Sequence, residues 1–280
     1  MTLLEIDVGN TRLKWRLRSG GQVLGRGALV RRQHASPAAL LATLQAALLP
    51  LLRGGRLQQV WVASVAAEEV STALAAWAEQ EFAVCAEFAR VSASAGGVRV
   101  GYDDPARLGV DRWLAVLAAA RRELDGVVVV DCGSAITVDI LQGNIHQGGY
   151  IVPGLQLMRA ALFKDTARVK VAAWQPTDGA PGRNTEAAVN GGLPLMVTGF
   201  VREVLARQAA AGWWQPGYRA GVLLTGGDGT LLQRQLQVAG DVDIYNLELV
   251  EDLVLDGLQW SAKRPWQGVA GGEPAARDGG

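Results

Sequence analysis

Leu3-Leu4-Glu5-Ile6-Asp7-Val8-Gly9-Asn10-Thr11-Arg12-Leu13-Lys14-Trp15 runs from an apolar stretch through an acidic residue and a Gly-Asn-Thr corner into alternating apolar and polar positions. The pattern reads as a strand, a tight turn and a second strand. Gly9 and Asn10 supply the backbone freedom expected of such a turn. Its amides and the Thr11 hydroxyl suit a phosphate, and Asp7 at the strand end suits a hydrated magnesium ion. Taken alone, the stretch fits a plain hairpin with an acidic residue equally well.

A second copy changes that balance. Val127-Val128-Val129-Val130-Asp131-Cys132-Gly133-Ser134-Ala135-Ile136-Thr137-Val138-Asp139 repeats the order, its first aspartate 124 residues beyond Asp7. Each copy continues into a third candidate strand, Gln22 to Val30 and Asn144 to Val152. A repeat of nearly half the chain predicts two similar domains facing each other rather than an array of short units. Two strand-end aspartates then converge on one cleft, an arrangement suited to a nucleotide and its metal.

At 280 residues the chain is long enough for two cores, and 49% hydrophobic against 19% charged residues describes a well-buried globular protein. Lys and Arg together balance Asp and Glu at 27 each, so no basic excess points to nucleic acid. Cys85 and Cys132 lie far apart and show no metal-site spacing with His34 or His146. Cys132 reads as a small residue packed at a strand end. Without a signal-peptide pattern or an apolar run of spanning length, a soluble cytoplasmic protein is expected, with no membrane partner.

Ser36, Pro37 and Gly54-Gly55 bound a helix over 37–52. A strand over 59–65, a helix over 68–80 and a short strand over 82–88 complete a βββ-α-β-α-β order. Residues 96–110 read as irregular. A helix from Asp111 to Glu123 with one apolar face leads to a domain boundary at Leu124-Asp125-Gly126. Beyond it, a helix is expected from Pro153-Gly154 to about Ala167, a loop from Trp174 to Arg183, and a long helix over 184–211. That helix should kink near Gly191-Gly192 and Pro194. A strand over 221–225, helices over 230–239 and 250–260, and a disordered tail over 263–280 come next. The expected domains are thus 1–124 and 125–262.

No P-loop, nucleophile elbow or zinc-protease motif occurs. Two histidines leave a carboxylate as the economical base. Gly109-Val110-Asp111-Arg112 offers one at the start of a helix, where the dipole also stabilises an ionised acid for purely structural reasons. In the functional reading Asp111 accepts a hydroxyl proton and Arg112 holds an anionic substrate. Gly148-Gly149-Tyr150-Ile151-Val152-Pro153-Gly154 and Gly226-Gly227-Asp228 are either plain turns or places where backbone approaches a ligand.

Taken in order, Asp7-Val8-Gly9-Asn10-Thr11-x-x-Lys14, Gly109-Val110-Asp111-Arg112, Asp131-Cys132-Gly133-Ser134-Ala135-Ile136-Thr137-Val138-Asp139 and Gly148-Gly149-Tyr150-Ile151-x-Pro153-Gly154 closely resemble the type III pantothenate kinases, over roughly residues 3 to 260. These belong to the acetate/sugar kinase, Hsp70 and actin superfamily. The resemblance implies an α/β fold of two ribonuclease-H-like (actin-like) domains, each a βββαβαβ mixed sheet flanked by helices. It also implies ATP-dependent phosphorylation of pantothenate in coenzyme A synthesis by a homodimer using magnesium and a monovalent cation, potassium or ammonium.

Carried over by motif, Asp7, Val8, Gly9, Asn10, Thr11, Arg12, Leu13 and Lys14 form the ATP phosphate loop. Ser134, where the family usually has Thr, touches phosphate. Asp131 holds the monovalent cation and Asp111 is the base. Tyr102, Gly109, Val110, Asp111, Arg112 and Thr185 contact pantothenate, Thr185 from the neighbouring subunit. Two rivals remain open on the sequence: another kinase or phosphatase of the superfamily acting on a sugar or polyphosphate, and a nucleotide-binding regulator without turnover.

Overall fold

The computed structural model describes residues 1–164, 180–238 and 245–266. The strands are β1 Thr2–Val8, β2 Arg12–Ser19, β3 Gln22–Val30, β4 Gln59–Ser64, β5 Ala86–Arg90, β6 Ser94–Ala95, β7 Val98–Arg99, β8 Gly126–Cys132, β9 Ala135–Gln142, β10 Ile145–Pro153, β11 Ala220–Thr225, β12 Leu247–Leu249 and β13 Ala262–Pro265. The helices are α1 Pro37–Leu52, α2 Glu68–Phe82, α3 Val110–Ala119, α4 Leu155–Lys164, α5 Thr185–Ala210, α6 Gly229–Val238 and α7 Leu253–Gly257. They form two compact units. One comprises Met1–Arg90 with the described residues from Ser261 on, and the other comprises Val91–Trp260.

In the first unit the sheet order is β13-β5-β4-β1-β2-β3. β1, β2 and β3 form an antiparallel meander, and β4 and β5 join parallel to β1. Gly20 and Gly21, at φ 56° and 89°, make the two-residue hairpin turn that only residues tolerant of positive φ can adopt cheaply. Leu4, Ile6 and Val8 of β1, with Leu13, Trp15 and Leu17 of β2, meet Leu40, Leu44 and Leu48 of α1 and Leu74 and Trp77 of α2. Fully burying each such aliphatic side chain contributes about 1.5–3 kcal/mol. Their alternation is what made β1 and β2 legible.

The second unit repeats the plan. Its sheet order is β12-β11-β8-β9-β10-β7-β6, with β8, β9 and β10 antiparallel and β11 parallel to β8. Strands β12-β11-β8-β9-β10 therefore correspond to β5-β4-β1-β2-β3, and the two ribonuclease-H-like sheets of the sequence reading are present. Val128, Val130, Ile136, Val138, Val222 and Leu224 pack against Val197, Val201 and Leu205 of α5 and Leu232 and Leu236 of α6.

Several boundaries differ from the expectation. Helix α3 is buried along nearly its whole length, from Arg112 to Ala119, rather than on one face. Where Gly257 of α7 crosses it, a Cβ would run into the Leu114 carbonyl, so glycine lets the two backbones meet. That packing places residues 91–124 with the second unit, and the division does not fall at Leu124-Asp125. α2 continues to Phe82 and ends on Ala83 in the left-handed region, which delays β5 to Ala86. α5 runs unbroken through Pro194, and Thr198 Oγ1 donates to the Pro194 carbonyl at 2.8 Å. Residues 250–260 hold only α7 and a 3-10 turn.

The expected disordered tail begins too early. Lys263, Arg264 and Pro265 belong to β13, antiparallel to β5. Lys263 Nζ sits 4.3 Å from the Trp61 ring centroid, and Trp266 packs 4.9 Å from Phe88 while donating to Thr72 Oγ1. These contacts order residues that a Gly- and Ala-rich composition suggested were loose. Most of the loop expected over 174–183, the end of the helix expected to Ala167, and residues 267–280 of the tail lie outside the described residues.

Candidate active site

In the first unit, β1 delivers Asp7 next to the turn, opposite Lys14 in the β1–β2 register. Gly9 is not a positive-φ residue, and a Cβ there would sit 3.4 Å from the Arg12 carbonyl. Unusual backbone freedom is therefore not what the turn asks of Gly9. Its amide donates to the Arg12 carbonyl at 3.0 Å and so is committed within the turn. Asn10, Thr11 and Arg12 are exposed. The sequence reading missed Arg31, just past β3. Its Nη1 donates to the carbonyls of Gly9 and Asn10 at 2.8 and 3.0 Å, and its amide donates to the Thr11 carbonyl at 2.9 Å.

The start of α3 carries the second cluster. Asp111 Oδ1 accepts the amide of Arg112 at 2.8 Å, and a Cβ on Gly109 would lie 2.6 Å from that oxygen. Glycine at 109 thus leaves room for the carboxylate. Desolvation by burial pushes Asp111 above the usual carboxylate range, against the lowering pull of the Arg112 amide and guanidinium, and Asp139 adds a further upward push. Desolvation thus acts against the stabilisation that a helix start lends to an ionised acid.

Arg112 is not a free cation. It is buried, and its Nε and Nη2 donate to Asp139 Oδ2 and Oδ1 at 2.9 and 2.6 Å, a two-pronged ion pair. Nη1 donates to the Tyr102 hydroxyl at 2.7 Å. The Arg112 guanidinium, expected to hold an anionic substrate, is thus engaged by Asp139 and Tyr102. His146, fully buried, places Nε2 2.9 Å from Asp139 Oδ1, and its ring stacks on Tyr102 at 6.0 Å. Gly148 and Gly149 are not a strand-to-helix turn but lie at a bulge inside β10. Gly148 takes φ 94°, and a Cβ on Gly149 would come within 2.8 Å of both Arg112 Nη2 and Asp139 Oδ1. On the other side, a Cβ on Gly101 would collide with the His146 carbonyl, so Gly101-Tyr102 presses against the bulge.

The third cluster closes β8. Asp131 pairs in register with Thr137 of β9 and Thr225 of β11. Gly226, at φ 88°, lies against the Asp131 carboxylate where any Cβ would clash, and Gly133 is 3.4 Å away by the same measure. The Asp228 amide donates to the Cys132 carbonyl at 3.0 Å, and the Gly154 amide donates to the Ser134 carbonyl at 3.0 Å. Burial first, then Asp131 and Asp228, push the Cys132 thiol far above its ordinary range, so Cys132 is a packing residue and no nucleophile. Among the described residues no group of three His, Cys, Asp or Glu side chains forms a metal cage. What this end of β8 offers is a carboxylate hemmed in by the backbone of Gly226 and Gly133.

Thr185 stands apart. It is exposed at the first residue of α5, behind the Asn184 cap, and makes no side-chain hydrogen bond among the described residues. Asp139 and His146 are the other residues the sequence reading left without a role. Asp139 was visible only as the last residue of the repeated motif, and His146 only as a histidine without metal spacing.

Known proteins resemble this chain along the same lines. A model of the type III pantothenate kinase family matches residues 3–207. A Chromohalobacter salexigens protein described as a type III pantothenate kinase is 38% identical over 241 residues, covering 84% of this chain and 81% of its own. A Pseudomonas putida protein of the same description is 38% identical over 262 residues, covering 91% and 97%. Among solved structures, a Campylobacter jejuni protein described as a Baf family transcriptional activator superposes with a TM-score of 0.54 at 19% identity, covering 91% of this chain and 95% of its own. A Sinorhizobium meliloti protein described as a 2-dehydro-3-deoxygalactonokinase gives 0.50 at 15%, covering 92% and 97%. At those identities the two structures speak to the fold alone.

The Asp111 environment has a consequence for stability. A carboxyl raised in the folded state loses folding stability as pH rises through its folded pKa, and the full benefit is present below the unfolded value. Asp111→Asn keeps the bond to the Arg112 amide but removes the half-buried charge. Thermal melts should therefore show a higher Tm for Asp111→Asn at pH 7, with the gain closing as pH falls below the folded pKa. A variant less stable than the parent at pH 7 contradicts the burial argument.

Proposed function

The chain belongs to the type III pantothenate kinase family, and from that premise we propose how its residues divide the transfer of a phosphoryl group from ATP to pantothenate in coenzyme A biosynthesis. The observation that carries the assignment is Asp111, a carboxylate at a helix start with room made by Gly109, one oxygen held by the Arg112 amide and its pKa raised by burial. Held so, Asp111 orients the primary alcohol of pantothenate and takes its proton while the alcohol oxygen bonds to the γ-phosphorus and the bond to the β-phosphate oxygen breaks. The transition state of such transfers is loose and the proton leaves late, so a carboxylate suffices. A raised pKa brings it nearer to the alcohol it must deprotonate.

Tyr102, Gly109, Val110 and Arg112 form the acceptor side in this reading. Arg112 contributes its amide to Asp111 and its Nη1 to Tyr102, so the pantothenate end is read by an edge already braced by Asp139. Residues Asp7 to Lys14 hold the ATP phosphates, with Asp7 as the carboxylate for hydrated magnesium, and Ser134 reaches a phosphate from the repeated turn. Magnesium would neutralise phosphate charge there. Asp131 is assigned the monovalent cation.

We place the reaction in the cytoplasm; no helix among the described residues is long and apolar enough to cross a membrane. A homodimer is supported by apolar side chains left exposed on β10, α4 and α5, namely Tyr150, Ile151, Leu157, Leu162, Leu195 and Met196. Thr185, at the start of that same α5, then reaches the partner's pantothenate site.

Steady-state assays with ATP and pantothenate test the base. Asp111→Asn should lower kcat about 10²–10⁴-fold, the usual worth of a positioned base. Asp104→Asn should change little, because Asp104 only caps the 3-10 turn after it through the Ala106 amide. Near-normal turnover in Asp111→Asn removes the assignment. Potassium or ammonium should activate more than sodium, and Asp131→Asn should lose that preference; equal rates in sodium and potassium argue against the cation site. Finally, mixing Asp111→Asn chains with Thr185→Ala chains should recover activity in mixed dimers, since each supplies what the other lacks. Mixed dimers as inactive as both parents mean that the site is not shared.

A further inference from the structure

We propose that Arg31 is a positioning residue of the phosphate turn: it holds the turn's carbonyls on one side so that the following amides face the nucleotide phosphates. The inference rests on the reading that residues 7–14 bind those phosphates. Arg31 is the first residue after β3, next to Val30, which pairs with Arg12 at the start of β2. From there its side chain spans back to the turn. Nη1 binds two successive carbonyls, Gly9 at 2.8 Å and Asn10 at 3.0 Å, while its own amide binds the third, Thr11, at 2.9 Å. Three consecutive acceptors are thus satisfied by one residue.

Peptide geometry then sets the direction of the amides. Each planar trans peptide places the C=O of one residue opposite the N–H of the next. Carbonyls of Gly9 and Asn10 drawn to one nitrogen therefore direct the amides of Asn10 and Thr11 to the other side of the turn. Successive amides presented together are the backbone's usual means of holding an anion. Without the guanidinium, the Gly9 and Asn10 carbonyls lose the donor that aligns them, while the backbone bonds from the Gly9 amide to Arg12 and from the Arg31 amide to Thr11 remain.

Charge points the same way. Arg31 makes no ion pair among the described residues, and neither do Arg12 and Lys14. Arg31, half-buried and bonded to carbonyls, adds its positive charge to those of Arg12 and Lys14 around a turn whose acidic residue is Asp7, and a net positive field of that kind favours a polyanion.

The test compares Arg31→Ala, Arg31→Lys and Lys14→Ala in the full-length enzyme, with Tm and far-UV circular dichroism as checks on folding. Arg31→Ala should raise KM for ATP about tenfold or more, the loss expected for charge-assisted hydrogen bonds. KM for pantothenate and the inhibition constant of adenosine, which lacks phosphates, should stay unchanged. Arg31→Lys keeps the charge but not the fork, so it should recover only part of the ATP affinity. Millimolar guanidinium should lower the ATP KM of Arg31→Ala and leave that of the parent unaltered. A rise in both substrates' KM, or no response to guanidinium, means a merely structural role and overturns the proposal. If Arg31→Ala does not fold, Arg31→Lys decides alone: an ATP KM equal to that of the parent overturns it. Lys14→Ala separates the two levels. If it weakens ATP while the Arg31 variants do not, the positioning role fails; if neither does, the phosphate reading of the turn fails with it.

Discussion

The cluster at the start of α3 depends on one buried ion pair, Arg112 with Asp139. Removing one partner of such a pair leaves a buried charge uncompensated, at a cost of about 3–5 kcal/mol, so the pair must stay closed. Its closure explains residues that otherwise look unrelated. Gly149 is a glycine because any side chain would enter the pair, and Gly148 takes the left-handed backbone that makes the bulge. His146 satisfies the remaining demand of Asp139 Oδ1, and Tyr102 caps Arg112 from the opposite side. The same arginine's amide fixes Asp111. The position of Asp111 and the bracing of Arg112 and Tyr102 are thus one mechanical unit within 91–260.

How much of this was legible depended on the range of each interaction. The strands were readable because Leu4, Ile6 and Val8 alternate against a core, and the duplication was readable because a carboxylate, a glycine and a hydroxyl recur after two apolar runs. Asp111 was singled out because a short motif surrounds it. Arg31, Asp139 and His146 were not found, since their partners lie 21 and 22, 27, and 7 residues away and meet them only across a turn or a sheet. Composition carries no trace of such pairings. That residues 91–124 pack with the second unit was hidden for a related reason: α3 looks one-sided in sequence, and the glycine crossing with α7 helps to enclose it.

Asp111 also shows two local rules in competition. A first-turn acid gains from the helix dipole, a stabilisation of about 0.3–1 kcal/mol at exposed sites. Burial at this position outweighs it and raises the pKa. A structural cap would be better left in water. The protein holds this acid where desolvation disfavours its charge, a pattern that recurs at functional sites and in structural ion networks alike.

Strand β13 has a consequence for the order in which the molecule can be built. It lies at 262–265, yet it pairs with β5, which ends at Arg90. A nascent chain made from the N-terminus therefore exposes the outer edge of β5 while some 170 further residues are synthesised. During that interval the edge's hydrogen-bonding groups are open to another chain, the usual hazard of an unpaired strand. The brevity of β5, five residues ending in Arg90, limits the hazard, and Glu87 at its edge adds a charge that discourages strangers. The first unit is begun first and finished last, so its sheet cannot close until the second unit has been synthesised.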